Sequence, residues 1–184
     1  TIKELKKSTK TGSITVVQNL NAVEQLGITG GPVAGVEYTL AQIGSLCEIT
    51  YAGGYMTGYA VEEQSIAEKL GIEDTADYTR SYNRTDYCIY TNAATLEALA
   101  KEIAKLETED LQGQFPSGQT QKTNANGEAK FETLEYGLYL ILQTDVSGAK
   151  YEDKPITLSH LQTPMLISVP GKNEEKEVKV NVKT

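Results

Sequence analysis

Residues 123–144 run Thr123-Asn-Ala-Asn-Gly-Glu-Ala-Lys-Phe131-Glu-Thr-Leu134-Glu-Tyr-Gly137-Leu-Tyr139-Leu-Ile-Leu-Gln143-Thr144. Asn126-Gly127 supplies the positive φ angles of a tight turn, and Ala129, Phe131 and Thr133 then alternate as in a half-buried strand. Gly137 interrupts the run. After it, residues 138–142 are apolar on both parities, and a strand that is apolar on both faces must be covered on both. It therefore belongs in the middle of a sheet, and the rest of the chain has to supply its neighbours.

The flanking segments offer such neighbours. From Ile14 the period is two: Ile14, Val16, Gln18 and Leu20 share one face, which turns Gln18 inward. Gly27, Gly30, Gly31 and Pro32 form a turn into a second strand over residues 33–41, and residues 46–51 extend or follow it. Residues 165–169, between Pro164 and Pro170, read as another strand, and residues 177–183 as the last. There Val178, Val180 and Val182 face one side and Lys179, Asn181 and Lys183 the other. Helices are expected over residues 61–70, stopped by Gly71, and over residues 92–106. In the second, Asn92 is the N-cap, Leu96, Leu99, Ala100, Ile103 and Leu106 make one apolar stripe, and Glu97 is spaced to pair with Lys101. Residues 1–11 are basic, polar and aperiodic, and are expected to be a flexible leader.

Composition excludes several functions. The chain has 184 residues and a net charge of -8, and beyond Lys3, Lys6, Lys7 and Lys10 it has no basic cluster to serve as a nucleic-acid footprint. No apolar run reaches the roughly 18 residues that span a bilayer. The single histidine, His160, follows Ser159 without a nucleophile-elbow pattern, and no Cys-x-x-Cys spacing is present. Neither an enzyme nor a metal or cofactor protein is expected.

The turn, the Gly-x-Ala-x-Phe strand and the Gly-x-Tyr strand of residues 127–139 resemble those of the collagen-adhesin B-type domains of sortase-assembled pilins in Gram-positive bacteria. Pro32-Val-Ala-Gly35-Val-Glu-Tyr38-Thr-Leu40 resembles that family's second strand, and Gly12-Ser-Ile-Thr-Val-Val-Gln18 its first. The resemblance implies a mainly β, Ig-like β-sandwich with inserted helices. Residues 12–184 would be the N-terminal domain of a pilin subunit, with a helical, tyrosine-rich insertion at about 51–107. It also implies a place outside the cell in a wall-anchored pilus, with a signal peptide removed ahead of Thr1 and further domains beyond Thr184. Other pilin subunits and a pilin sortase would be the partners. In an exported protein Cys47 and Cys88 would form one disulfide; the other reading is two buried thiols.

Domains of this family form an internal isopeptide bond, in which a buried first-strand lysine attacks a last-strand asparagine beside a protonated carboxylic acid. Here the lysine position matches Gln18 and the acid matches Gln143. Asn181 lies on the parity opposite the valines, so the bond is expected to be absent and the two glutamines to hydrogen-bond to each other or to the backbone. The resemblance further implies that a lysine ending the first domain attacks a sortase thioester. Lys183 is the candidate, although Asn181, Val182 and Thr184 stand where the family's Tyr-Pro-Lys-Asn segment has Tyr, Pro and Asn. Without that role Lys183 is a solvated lysine on an edge strand. A competing reading, an accessory or tip adhesin, would use Tyr51, Tyr55, Tyr59, Tyr78 and Tyr82 as a surface for a host protein or glycan.

Overall fold

The computed structural model describes all 184 residues. The strands, in chain order, are β1 (Ile2–Lys7), β2 (Thr11–Leu20), β3 (Gly31–Ala34), β4 (Glu37–Tyr51), β5 (Gly54–Glu62), β6 (Tyr78–Tyr82), β7 (Thr85–Tyr90), β8 (Gln119–Lys122), β9 (Glu128–Glu135), β10 (Gly137–Asp145), β11 (Lys150–Tyr151), β12 (Lys154–Pro155), β13 (Met165–Val169) and β14 (Glu177–Lys183). Helices α1 (Ala93–Ala104) and α2 (Thr108–Leu111) lie between β7 and β8. The strands form an eight-stranded sheet, β13-β10-β4-β5-β7-β6 with β1 and β8 also on β4, and a six-stranded sheet, β12-β11-β3-β2-β14 with β9 also on β2. This is the expected β-sandwich with inserted helices.

β10 is central: it pairs with β4 on one side and β13 on the other. Its two apolar faces serve two cores. Tyr139 and Ile141 pack between the sheets with Ile14, Val16, Tyr38, Phe131 and Val182. Leu138, Leu140 and Leu142 pack on the outer side of the large sheet with Leu99 and Ile103 of α1. The Asn92 side chain caps α1 by accepting from the Thr95 N–H at 3.0 Å. The turn before β9 needs positive φ only at Gly127 (75°). Alternation along β9 ends at Thr133, where φ is 56° and a bulge against β2 brings Leu134 inward in its place.

The structure corrects two expectations about the ends of the large sheet. Residues 1–11 are not a free leader, because Leu5, Lys6 and Lys7 of β1 pair antiparallel with Ile49, Glu48 and Cys47 of β4 and Ile2 is buried. Residues 51–90 are mostly strand, not helix. Gly53 (φ 86°) turns β4 into β5, and Asn83 and Arg84 (φ 49° and 67°) turn β6 into β7, a geometry in which both central residues are left-handed. The expected helix over residues 61–70 shrinks to one π-helical segment, Ser65–Leu70, ended as expected by Gly71. β6 folds back against β1, and Ile2, Cys47, Ile49, Ala60 and Ile89 fill the space enclosed.

Asp77 ties the β6–β7 hairpin to α1. Its carboxylate accepts from the Thr91 N–H (2.7 Å), the Thr91 hydroxyl (3.1 Å) and the Thr95 hydroxyl (2.9 Å). Partial burial pushes its pKa up, but these hydrogen bonds outweigh that and hold it below the usual carboxylate range. Its contribution is therefore complete above about pH 4 and is lost as pH falls through the lowered folded value. Asp77→Ala is expected to cost about 1 kcal/mol at pH 7, with the difference from wild type shrinking as pH falls below about 4 in urea unfolding followed across pH.

Candidate functional site

The alternation of β2 places Gln18 inside the sandwich, and Gln143 ends the buried part of β10; both are essentially inaccessible. Between them stands Tyr38 of β4, which is opposite Gln143 in the ladder. The Tyr38 hydroxyl donates to Gln18 Oε1. Gln143 Nε2 donates to Gln18 Oε1 at 3.3 Å and to the Tyr38 hydroxyl at 3.1 Å. The remaining amide groups are also occupied: Gln18 Nε2 donates to the Thr184 hydroxyl at 3.2 Å, and Gln143 Oε1 accepts from the Gln162 N–H at 2.7 Å. Burial pushes the Tyr38 hydroxyl up to about 12, against the lowering effect of its hydrogen bond with Gln143. It stays protonated, and a donor, throughout the neutral range. Sequence reasoning named both glutamines but missed Tyr38. The inward parity of Val36, Tyr38 and Leu40 was the available signal.

β14 runs parallel to β2, with Val182 opposite Gln18 and Asn181 opposite Val17. Val182 is buried and Asn181 exposed. The interior thus presents two amides and a phenol to an aliphatic side chain, with no amine there to act as a nucleophile. The intact mass of the denatured protein is expected to equal that of its sequence; a loss of about 17 Da, the mass of the ammonia released when lysine and asparagine condense, would overturn this.

Lys183 lies on the outward face of β14, exposed. The strand beneath it is pinned to its last residue: Thr184 N–H donates to the Asn19 carbonyl at 3.1 Å and Asn21 N–H to the Thr184 carbonyl at 2.8 Å. A flexible side chain is thereby carried on a fixed backbone.

The disulfide expectation is corrected. Cys47 and Cys88 are free thiols. Cys47 pairs with Gly58 and Cys88 with Val61, so the two side chains leave opposite faces of the sheet and enter different cores. Burial pushes each thiol up to about 11. The five tyrosines do not form one surface either. Tyr55 and Tyr59 point to one face of the large sheet, Tyr51, Tyr78 and Tyr82 to the other. Only Tyr55 (59% exposed) and Tyr78 (42%) stand well out of the protein.

No family model and no curated protein sequence matches the chain. Among solved structures it is similar to the full-length major pilin SpaD of Corynebacterium diphtheriae, at 17% identity over 95% of this chain and 30% of that one, with a TM-score of 0.41. The group B streptococcus pilus 2b backbone protein matches at 10% identity over 96% and 41%, with a TM-score of 0.40. The major pilin subunit BcpA of Bacillus cereus matches at 14% identity over 95% and 30%, with a TM-score of 0.41. The chain thus spans between 30% and 41% of the length of these three proteins.

Proposed function

We propose that this chain is a domain of a pilus shaft subunit and that Lys183 is the amine through which a pilin sortase joins the next subunit to it. The placement of Lys183 carries the reading. An acceptor lysine has to reach into another protein's active site while its own backbone bears the load of the finished polymer. Lys183 is exposed on a strand held to β2 from Glu177 to Lys183. The glutamine network supports the same reading from the interior, since it joins β2, β4 and β10 by hydrogen bonds through Gln18 and Gln143, which match the lysine and the acid of the cross-link in the resembling domains. On this reading the protein is a substrate at the cell surface. The enzyme brings the cysteine, and other pilin subunits are the partners.

The test is to incubate the protein with a pilin sortase proven on another pilin and a Leu-Pro-x-Thr-Gly peptide, then to locate new amide bonds by tandem mass spectrometry. Linkage at Lys183 that disappears in Lys183→Ala is the expected result. Linkage at another lysine, or at none, would overturn the assignment.

A further inference from the structure

We infer that the open edge of β14 is a docking track for the acyl donor, which adds to the small sheet as one further strand and so brings its reacting carbonyl to Lys183; this rests on the reading of Lys183 as acceptor. Lys176 carbonyl accepts from the Ser13 N–H at 2.8 Å, and Thr184 uses both its N–H and its carbonyl on β2 and the residues just after it. In a parallel ladder alternate residues address the same neighbour. Val178, Val180 and Val182 therefore complete the ladder with β2, while Glu177, Lys179, Asn181 and Lys183 direct their N–H and C=O groups away from it. No strand pairs with β14 on that side. The residue that carries the amine thus also carries unpaired in-plane donors and acceptors, and two positions before it Asn181 offers the same. Lysines on this edge project from the sheet face and leave the in-plane groups uncovered.

The chemistry of the donor fits this edge in length and direction. An extended four-residue Leu-Pro-x-Thr segment covers about 13 Å, as do the four residues Val180–Lys183 of the strand. Its reacting carbonyl is at its C-terminal end, so to place that carbonyl by Lys183 it must run parallel to β14. Proline has no N–H and has to point away from the ladder. The leucine and the x residue then face β14 with both backbone groups. Neighbouring strands lie about 4.8 Å apart, a span that a lysine side chain crosses. In the transfer the neutral Lys183 amine adds to the thioester carbonyl, the C–N bond forms as the C–S bond breaks, and the proton lost by the amine goes to the departing sortase thiolate.

Proline substitution at an outward position tests the track, because it deletes an edge N–H that the ladder to β2 does not use. Asn181→Pro is assayed for sortase-dependent transfer of a Leu-Pro-x-Thr-Gly peptide to Lys183. Its acetylation at Lys183 by a small activated ester and its thermal unfolding are measured alongside. Transfer is expected to slow about tenfold, roughly what one lost hydrogen bond is worth, with acetylation and unfolding unchanged. Unchanged transfer would overturn the docking track and leave Lys183 as the acceptor. Persistence of linkage in Lys183→Ala would instead remove the reading beneath it. If Asn181→Pro unfolds, Lys179→Pro and a donor N-methylated at the x residue make the same distinction, with hydrolysis of the sortase thioester showing that the modified donor still loads.

Discussion

Gly35→Ala is expected to cost at least about 4 kcal/mol and to shift the urea midpoint accordingly, among the largest effects that one methyl group can have. Gly35 is the corner at which the chain leaves β3 in the small sheet and enters β4 in the large one. Two physical demands meet there. Its φ is 78°, a left-handed conformation that costs an alanine about 1 to 2 kcal/mol. A Cβ would also run into the carbonyl oxygen of Gly148, which is backbone and cannot rotate aside. Relief requires moving either β3 or the 146–149 turn, and both hold Val33 and Ala149 in the inter-sheet core. A measured loss below about 2 kcal/mol would mean that this corner is far more compliant than its packing indicates.

Gln18→Lys is expected to lose about 3 to 5 kcal/mol at pH 7, because it puts an ammonium at a fully buried position without a counter-charge. Its neighbours, the Tyr38 hydroxyl, Gln143 and Thr184, can share hydrogen bonds with it but cannot neutralise it. Burial lowers the lysine's folded pKa below its unfolded value near 10.4. The unfolded chain then binds more protons between those two values, so the mutant's stability should recover as pH rises toward 10. Adding Gln143→Glu should restore part of the loss by pairing the charges. Neither variant should change mass by loss of ammonia: in Gln18→Lys the Gln143 amide lies beside the amine with no carboxylic acid to polarise it, and Gln143→Glu removes that amide while Val182, opposite position 18, carries none. Only the further change Val182→Asn puts an amide and a carboxylic acid beside the amine together, and that triple variant is expected to be about 17 Da lighter after denaturation. A Gln18→Lys protein within about 1 kcal/mol of wild type would mean that position 18 is not sealed as the structure has it.

Much of the candidate site was legible because strand parity is local. Alternation along residues 14–20 turned Gln18 inward, and alternation along residues 177–183 turned Asn181 and Lys183 outward, before any partner strand was known. The cysteines show the opposite case. Two thiols in a chain expected to be exported read as a bridge, yet the positions of Cys47 and Cys88 depend on how β4, β5 and β7 register with one another. A shift of one residue in either ladder would have put both side chains on one face. The tyrosines misled for a related reason. Tyr55 and Tyr59 alternate as well as any strand does, but with Gly53 and Gly54 before them and Gly58 between them the segment read as part of a helical, tyrosine-rich insertion instead of β5.

By itself the sequence determined what short-range forces decide: the Gly127 turn, the doubly apolar β10, the Asn92 cap with the Leu99 and Ile103 stripe of α1, and the faces on which Gln18, Asn181 and Lys183 lie. These follow from φ preferences, from capping hydrogen bonds and from periods of two and 3.6 residues, which a chain expresses without knowing its neighbours. Only the tertiary structure decided which strands meet. It set β1 against β4, put Tyr38 between the two glutamines, ran β14 parallel to β2 with Val182 opposite Gln18, and left the far edge of β14 open. Pairing across a sheet is a competition among all available edges for the same hydrogen bonds and the same buried area. Its outcome is a property of the assembled whole, and so is the chemistry that the edge of β14 can receive.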